Sequence, residues 1–135
     1  MVERYLYRGD LFVLVADDSD VFDAQAARAC MVVTDEGVMA DGLRVAEIKN
    51  LAVAAAWRRR GLGQAMLEFA ARRFGATHDA LQVGTGESPL TLPFYEACGF
   101  SRSHVVPRFF TEHYDHPFIE AGVQLVDMVY LRRML

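Results

Sequence analysis

The sequence predicts an α/β or α+β fold, a mixed β-sheet covered by helices with ligands bound near the carboxyl ends of strands. Two patterns predict it. Two apolar runs separated by a polar turn read as a β-hairpin near the start, and strand-length and helix-length patterns alternate after it. A chain of 135 residues is expected to form one domain, 1–135. A domain of that size buries roughly two thirds of its unfolded surface, enough for a core without disulfide or metal staples.

Val2 to Arg8 has the length of a short helix before the Gly9-Asp10 turn signal. Leu11 to Ala16 (LFVLVA) is a continuous apolar run of strand length, and Asp17 to Asp20 is a polar turn. The run AARACMVVT, ending near Thr34, is a second strand because MVV is β-rich and DEG follows; the two strands are expected to pair antiparallel. Leu43 to Val53 (LRVAEIKNLAV) alternates imperfectly, and one slip in the alternation is what a β-bulge produces. From Gly61 to Phe74, Leu62, Met66, Phe69, Ala70 and Phe74 repeat at helical spacing, with Arg72 and Arg73 in the last turn and Gly75 as a stop. Ala80 to Thr85 is a short strand, and Pro89 to Cys98 a second helix stopped by Gly99, with Pro93 limiting its regularity. Phe100 to Val106 restarts a strand, Pro107 to Gly122 lacks a clear period and reads as a loop, and Val123 to Leu131 is a final strand.

The charge balance excludes some partners. A formal net charge of -4 leaves no global basic field, so nucleic acid is not expected. Cys30 and Cys98 lack ligand spacing, which suggests neither a zinc site nor a disulfide framework; reduced thiols fit a cytoplasmic protein. The amino terminus has no apolar run of signal-peptide length, and no run of about 18 apolar residues occurs. The chain is therefore expected to be neither secreted nor membrane-bound.

Trp57-Arg58-Arg59-Arg60-Gly61-Leu62-Gly63-Gln64 places two glycines and three cations between a strand end and a helix start. Free backbone N–H groups and the helix dipole can hold a pyrophosphate there. No Lys-Ser/Thr follows the glycines, and Met66 stands where a dinucleotide fingerprint has its third glycine, so the NTPase and NAD readings weaken. Taken alone, the arginine triplet also fits a solvated helix start.

The segment Ala46 to Phe74 (AEIKNLAVAAAWRRRGLGQAMLEFAARRF) resembles motif A of the GNAT N-acetyltransferase superfamily, its R-x-x-G-x-G signature falling on Arg58, Gly61 and Gly63. TGESPLTLPFYEACGF resembles motif B, with the characteristic FYE-x-x-GF ending, and the tail resembles small bacterial GNAT proteins that finish with a DM-x-x-L strand. The resemblance runs from Leu11 onward and implies a mixed, mostly antiparallel central sheet flanked by helices. It also implies that most of the usual N-terminal strand and helices, which often wall the acceptor site, are lacking here.

The implied reaction is acetyl transfer from acetyl-CoA to an amine. An amine with a pKa of about 10.4 is mostly charged at pH 7, so a base is useful. Glu47 matches the position of a catalytic glutamate in some relatives; a strand-face carboxylate paired with Lys49 or an arginine is the competing reading. Leu51, Ala52 and Val53 would offer main-chain groups to pantetheine, with the Leu51 N–H facing the thioester oxyanion. Arg58, Arg59, Arg60, Gly61, Leu62, Gly63 and Gln64 would hold the pyrophosphate. Tyr95 matches the tyrosine that protonates the departing thiolate, against core packing beside Phe94, and Ser88 falls where many relatives have an asparagine near the cofactor.

Cys98 as an acyl-carrying nucleophile is a weaker variant, with no histidine a few residues away. His113 and His116 share the loop with Tyr114, Asp115 and Glu120, and like His104 they are expected to meet solvent or acceptor, not metal. The expected function is an N-acetyltransferase acting on a small-molecule or protein amine in a ternary complex, with homodimerisation covering exposed edges. The alternatives are a CoA-binding regulatory module with little turnover and a scaffold that binds no CoA.

Overall fold

The computed structural model describes residues 9–15 and 27–135. The Val2–Arg8 helix and the Asp17–Asp20 turn expected from sequence lie outside them. The architecture is mixed α/β, with strands in antiparallel pairs and helices flanking them. The chain forms two compact units, one reaching Leu81 and including Leu135, the other Gln82–Met134.

In the first unit, β1 (Gly9–Val15), β2 (Ala27–Val38) and β3 (Arg44–Val53) lie in that order. β1 pairs antiparallel with β2 from Gly9↔Thr34 to Val15↔Ala27, as the two apolar runs predict. β2 pairs antiparallel with β3, and the register slips where Val32 faces Asn50 but Val33 faces Ile48, so Lys49 is an extra residue in β3. This is the bulge implied by the broken alternation. A second slip leaves Glu36 extra in β2 between the pairs Asp35↔Ala46 and Gly37↔Val45. The strand expected to stop near Thr34 therefore continues to Val38. The DEG triplet is a bulge, held by the Gly37 amide donating to Asp35 Oδ1 at 2.8 Å, and the true turn follows, with the Met39 amide donating to the Leu43 carbonyl at 2.8 Å.

A short 3₁₀ turn (Ala55–Trp57) leads from β3 to α1 (Leu62–Phe74). Helix α1 buries Met66, Ala70 and Phe74 of the expected stripe together with Leu67, which the sequence reading leaves out, while Leu62 is half-buried and Phe69 exposed. Burying each of the three larger side chains contributes about 1.5–3 kcal/mol. Phe12 of β1 meets Phe69 edge to face at 5.1 Å and Phe74 at 6.0 Å, fixing the helix on this sheet.

The chain enters the second unit within β4 (Ala80–Gly86). α2 (Leu92–Ala97) is shorter than the helix expected from Pro89, because residues 89–91 form a turn and Pro93 sits in the first helical turn, where a missing N–H costs little. β5 (Ser101–Val106) pairs antiparallel with β8 (Met128–Met134), which lies between β4 and β5.

Two expectations fail in this unit. Pro107–Gly122 is not structureless: it holds α3 (Phe109–Glu112) and β6 (Phe118–Glu120), and β6 pairs with β7 (Val123–Leu125). The expected strand Val123–Leu131 is divided between β7 and β8, because the Phe110 amide donates to the Val126 carbonyl and the Arg108 amide to Asp127 Oδ1, both at 2.9 Å. The first bond occupies a main-chain carbonyl that a continuous strand would have needed for its ladder, and the second anchors the next side chain to α3.

Candidate active site

The phosphate-loop residues lie together in the first unit because β3 runs directly into them. After Val53, the Ala54 amide donates to the Arg28 carbonyl and the Trp57 amide to the Ala54 carbonyl, both at 2.8 Å. Arg58 folds back so that its Nε donates to the Val53 carbonyl at 3.3 Å. The chain then turns through two left-handed residues, Arg59 (φ 63) and Gly61 (φ 77). An arginine in that region is strained, whereas Gly61 adopts it freely and opens α1 as its N-cap.

The first hydrogen bond of the helix runs from the Ala65 amide to the Gly61 carbonyl at 3.0 Å. The amides of Leu62, Gly63 and Gln64 have no intrahelical acceptor in this position, and the positive end of the helix dipole adds to them. Arg58, Arg59, Arg60, Gly61 and Gln64 are exposed, with Leu62 and Gly63 half-buried, so the turn is open to an anion. Trp57 draws Arg28 Cζ to 3.6 Å and Arg60 Cζ to 4.6 Å from its ring centroid. The site residues proposed from sequence include neither Trp57 nor Arg28. An aromatic beside an arginine run was the available signal for Trp57, but nothing in the sequence links Arg28 to it.

Upstream on β3, Glu47 is only 5% exposed and faces Thr34 of β2. Lys49, the bulged residue, is ion-paired with Glu47 and lies 3.7 Å from Glu36 Oε1, while Thr34 Oγ1 donates to Glu36 Oε2 at 2.7 Å. Glu47, Lys49 and Glu36, the last two at the bulged positions, thus form one acid–base–acid cluster with Thr34. The pairing with Lys49 is the competing structural role that Glu47 has in the sequence reading. Leu51, Ala52 and Val53 continue the strand opposite Met31, Cys30 and Ala29.

Ser88 and Tyr95 lie in the second unit. Ser88 is fully buried; its Oγ accepts the Leu90 amide at 3.1 Å and its carbonyl accepts the Leu92 amide at 3.1 Å, so its hydroxyl shapes the turn that starts α2. Tyr95, 9% exposed, packs edge to face against Phe94 at 5.1 Å and Phe100 at 5.7 Å. Burial, with a smaller contribution from Cys98, pushes its phenol up to about 12. The phenol is neutral throughout the physiological range, so its O–H stays available as a hydrogen-bond donor. Cys98 is buried.

The histidines are bound separately. The His113 ring is 2.9 Å from the Phe109 carbonyl, His116 is 2.9 Å from Asp115, and His104 stacks on Tyr130 at 4.6 Å. Among the described residues no group of three or more His, Cys, Asp or Glu could hold a metal ion, and no helix is long and apolar enough to cross a membrane.

Residues 8–102 match the family model of the acetyltransferase (GNAT) domain. The chain belongs to the GNAT acetyltransferases. Its sequence is 31% identical to the uncharacterized N-acetyltransferase YvbK of Bacillus subtilis, across 97% of this chain and 78% of YvbK. Its fold is similar to a GNAT family acetyltransferase from Elizabethkingia anophelis with acetyl-CoA bound, at a TM-score of 0.83 and 26% identity, covering 99% of this chain and 81% of that one. It is likewise similar to a Bacillus subtilis acetyltransferase in complex with CoA, at 0.83 and 28%, covering 99% and 82%. As a GNAT acetyltransferase the chain has acyl transfer as its class of chemistry, and its R-x-x-G-x-G segment runs from the open turn into the first residues of α1.

Proposed function

We propose that this acetyltransferase uses acetyl-CoA to acetylate a primary amine of a small molecule or protein, by direct attack in a ternary complex. The observation that carries the reading is the turn from Arg58 to Gln64, where left-handed Gly61 opens a helix of 13 residues whose first amides have no intrahelical acceptor. The similar acetyltransferases with acetyl-CoA or CoA bound support the choice of anion.

In this reading the amides and arginines of the turn hold the pyrophosphate, Leu51 to Val53 offer main-chain groups to pantetheine, and Ser88 supports the cofactor from the start of α2. Glu47 takes the proton of the attacking amine, directly or through water, while Lys49 holds its carboxylate in place. At about 12 the Tyr95 phenol is a weaker acid than a thiol near 8.5, so full proton transfer to the departing sulfur would be uphill by about 5 kcal/mol. Tyr95 instead donates a hydrogen bond that stabilises the thiolate.

The reading extends to one functional domain in the cytoplasm, supported by two free cysteines, and to a homodimer, supported by β5, whose six residues are all exposed. Its test is calorimetric titration of acetyl-CoA into the wild type and a Gly61→Glu, Gly63→Glu variant, followed by thiol release against a panel of amines. Micromolar binding lost in the variant, with thiol release for one amine, supports the enzyme. A wild type that does not bind overturns it.

A further inference from the structure

Trp57 stands immediately before the arginine run and receives two guanidinium groups, Arg28 at 3.6 Å and Arg60 at 4.6 Å from the ring centroid. Arg28 comes from β2, and its carbonyl accepts the Ala54 amide at 2.8 Å, which ties the beginning of β2 to the exit of β3. Like charges gathered at one ring repel each other, and the ring quadrupole offsets only part of that repulsion at a solvent-facing site. Among the described residues neither guanidinium is paired with a carboxylate. Arg58, by contrast, is engaged with the Val53 carbonyl.

Positive charge is therefore concentrated on the β2 side of the loop, in addition to the helix amides. We propose that Trp57 holds Arg28, together with Arg60 shared from the pyrophosphate turn, as a two-cation site for a phosphomonoester, the 3′-phosphate of CoA. This rests on the acetyl-CoA reading of the same loop. A phosphomonoester carries a charge of about -1.5 to -2 and three acceptor oxygens, which suits two guanidiniums that each present a fork of donors. Trp57 is a positioning residue: it orients the two cations without touching the phosphate. The consequence is selectivity for CoA over its 3′-dephospho form, a distinction the backbone amides of the turn do not make.

The test is titration of acetyl-CoA and of 3′-dephospho-acetyl-CoA into the wild type and the Arg28→Gln, Trp57→Ala and Trp57→Phe variants. The wild type is expected to favour acetyl-CoA by about tenfold or more, the worth of a charge-assisted contact. Arg28→Gln should lose that preference by weakening acetyl-CoA alone. Trp57→Ala should reduce the preference by about threefold, and Trp57→Phe should restore most of it, because a smaller ring still attracts a guanidinium. Equal wild-type affinity for the two ligands would overturn this site and leave the acetyl-CoA reading standing. So would an Arg28→Gln variant that weakened both ligands alike. A wild type that bound neither ligand would overturn both.

Discussion

Lys49, the extra residue at the β3 bulge, reaches back two residues along the strand to pair with the buried carboxylate of Glu47. The pair couples a structural role to a chemical one. Replacing Lys49 by Met leaves Glu47 largely buried without this partner, and a loss of about 1–3 kcal/mol is expected. Denaturant unfolding of the variant against wild type measures it.

Glu47→Gln keeps the shape and removes the base. A fall in kcat of about 10² to 10⁴ is expected, with the KM for acetyl-CoA unchanged. An unchanged kcat would assign Glu47 to structure alone.

Tyr95→Phe removes the hydroxyl from the Phe94 and Phe100 cluster while keeping the ring. Turnover should fall while acetyl-CoA affinity stays within a few-fold. The raised phenol also has a stability consequence: the folded state resists deprotonation, so its contribution is present in full below the unfolded value near 10 and is lost as pH rises toward about 12. Between those limits the wild type should lose about 2–3 kcal/mol that Tyr95→Phe does not lose. Parallel unfolding titrations at alkaline pH read the difference.

Asp35 acts at the acid end. The Gly37 amide, then a hydrogen bond from His78 with Nε2 at 3.1 Å, hold its carboxyl below the usual 3.8. A lowered pKa gives stability that is present above the unfolded value and is lost as pH falls through the folded one. Asp35→Asn should therefore lower Tm more at pH 6 than at an acid pH well below 3.8. Equal Tm differences at both values would exclude the linkage.

Gly61→Ala tests the turn without filling it, since a Cβ there meets nothing within 4 Å. The cost is conformational, about 1–2 kcal/mol for a left-handed non-glycine residue. A Tm decrease accompanied by a smaller loss of acetyl-CoA affinity is expected. Tighter binding would exclude the left-handed Gly61 as the binding geometry.

Local pattern determined much of this protein. Apolar spacing along Leu62–Phe74 marks one helix face, the glycines at 61 and 63 mark where backbone must turn, and the slip between Ile48 and Asn50 marks a bulge, because each depends on neighbours in the chain. Signals of that kind carried the family and the phosphate turn. Tertiary structure decided the remainder, where the partner is distant in sequence. Thr34 is not a strand end because Glu36 bulges out and Gly37 resumes pairing with Val45 on β3. The last strand is divided because Arg108 and Phe110 claim Asp127 and Val126. Arg28 stands over Trp57, 29 positions along the chain, only because β2 and β3 pair. Hydrogen bonds and cation–π contacts act over a few ångströms of space, and linear spacing does not encode which distant residues come that close.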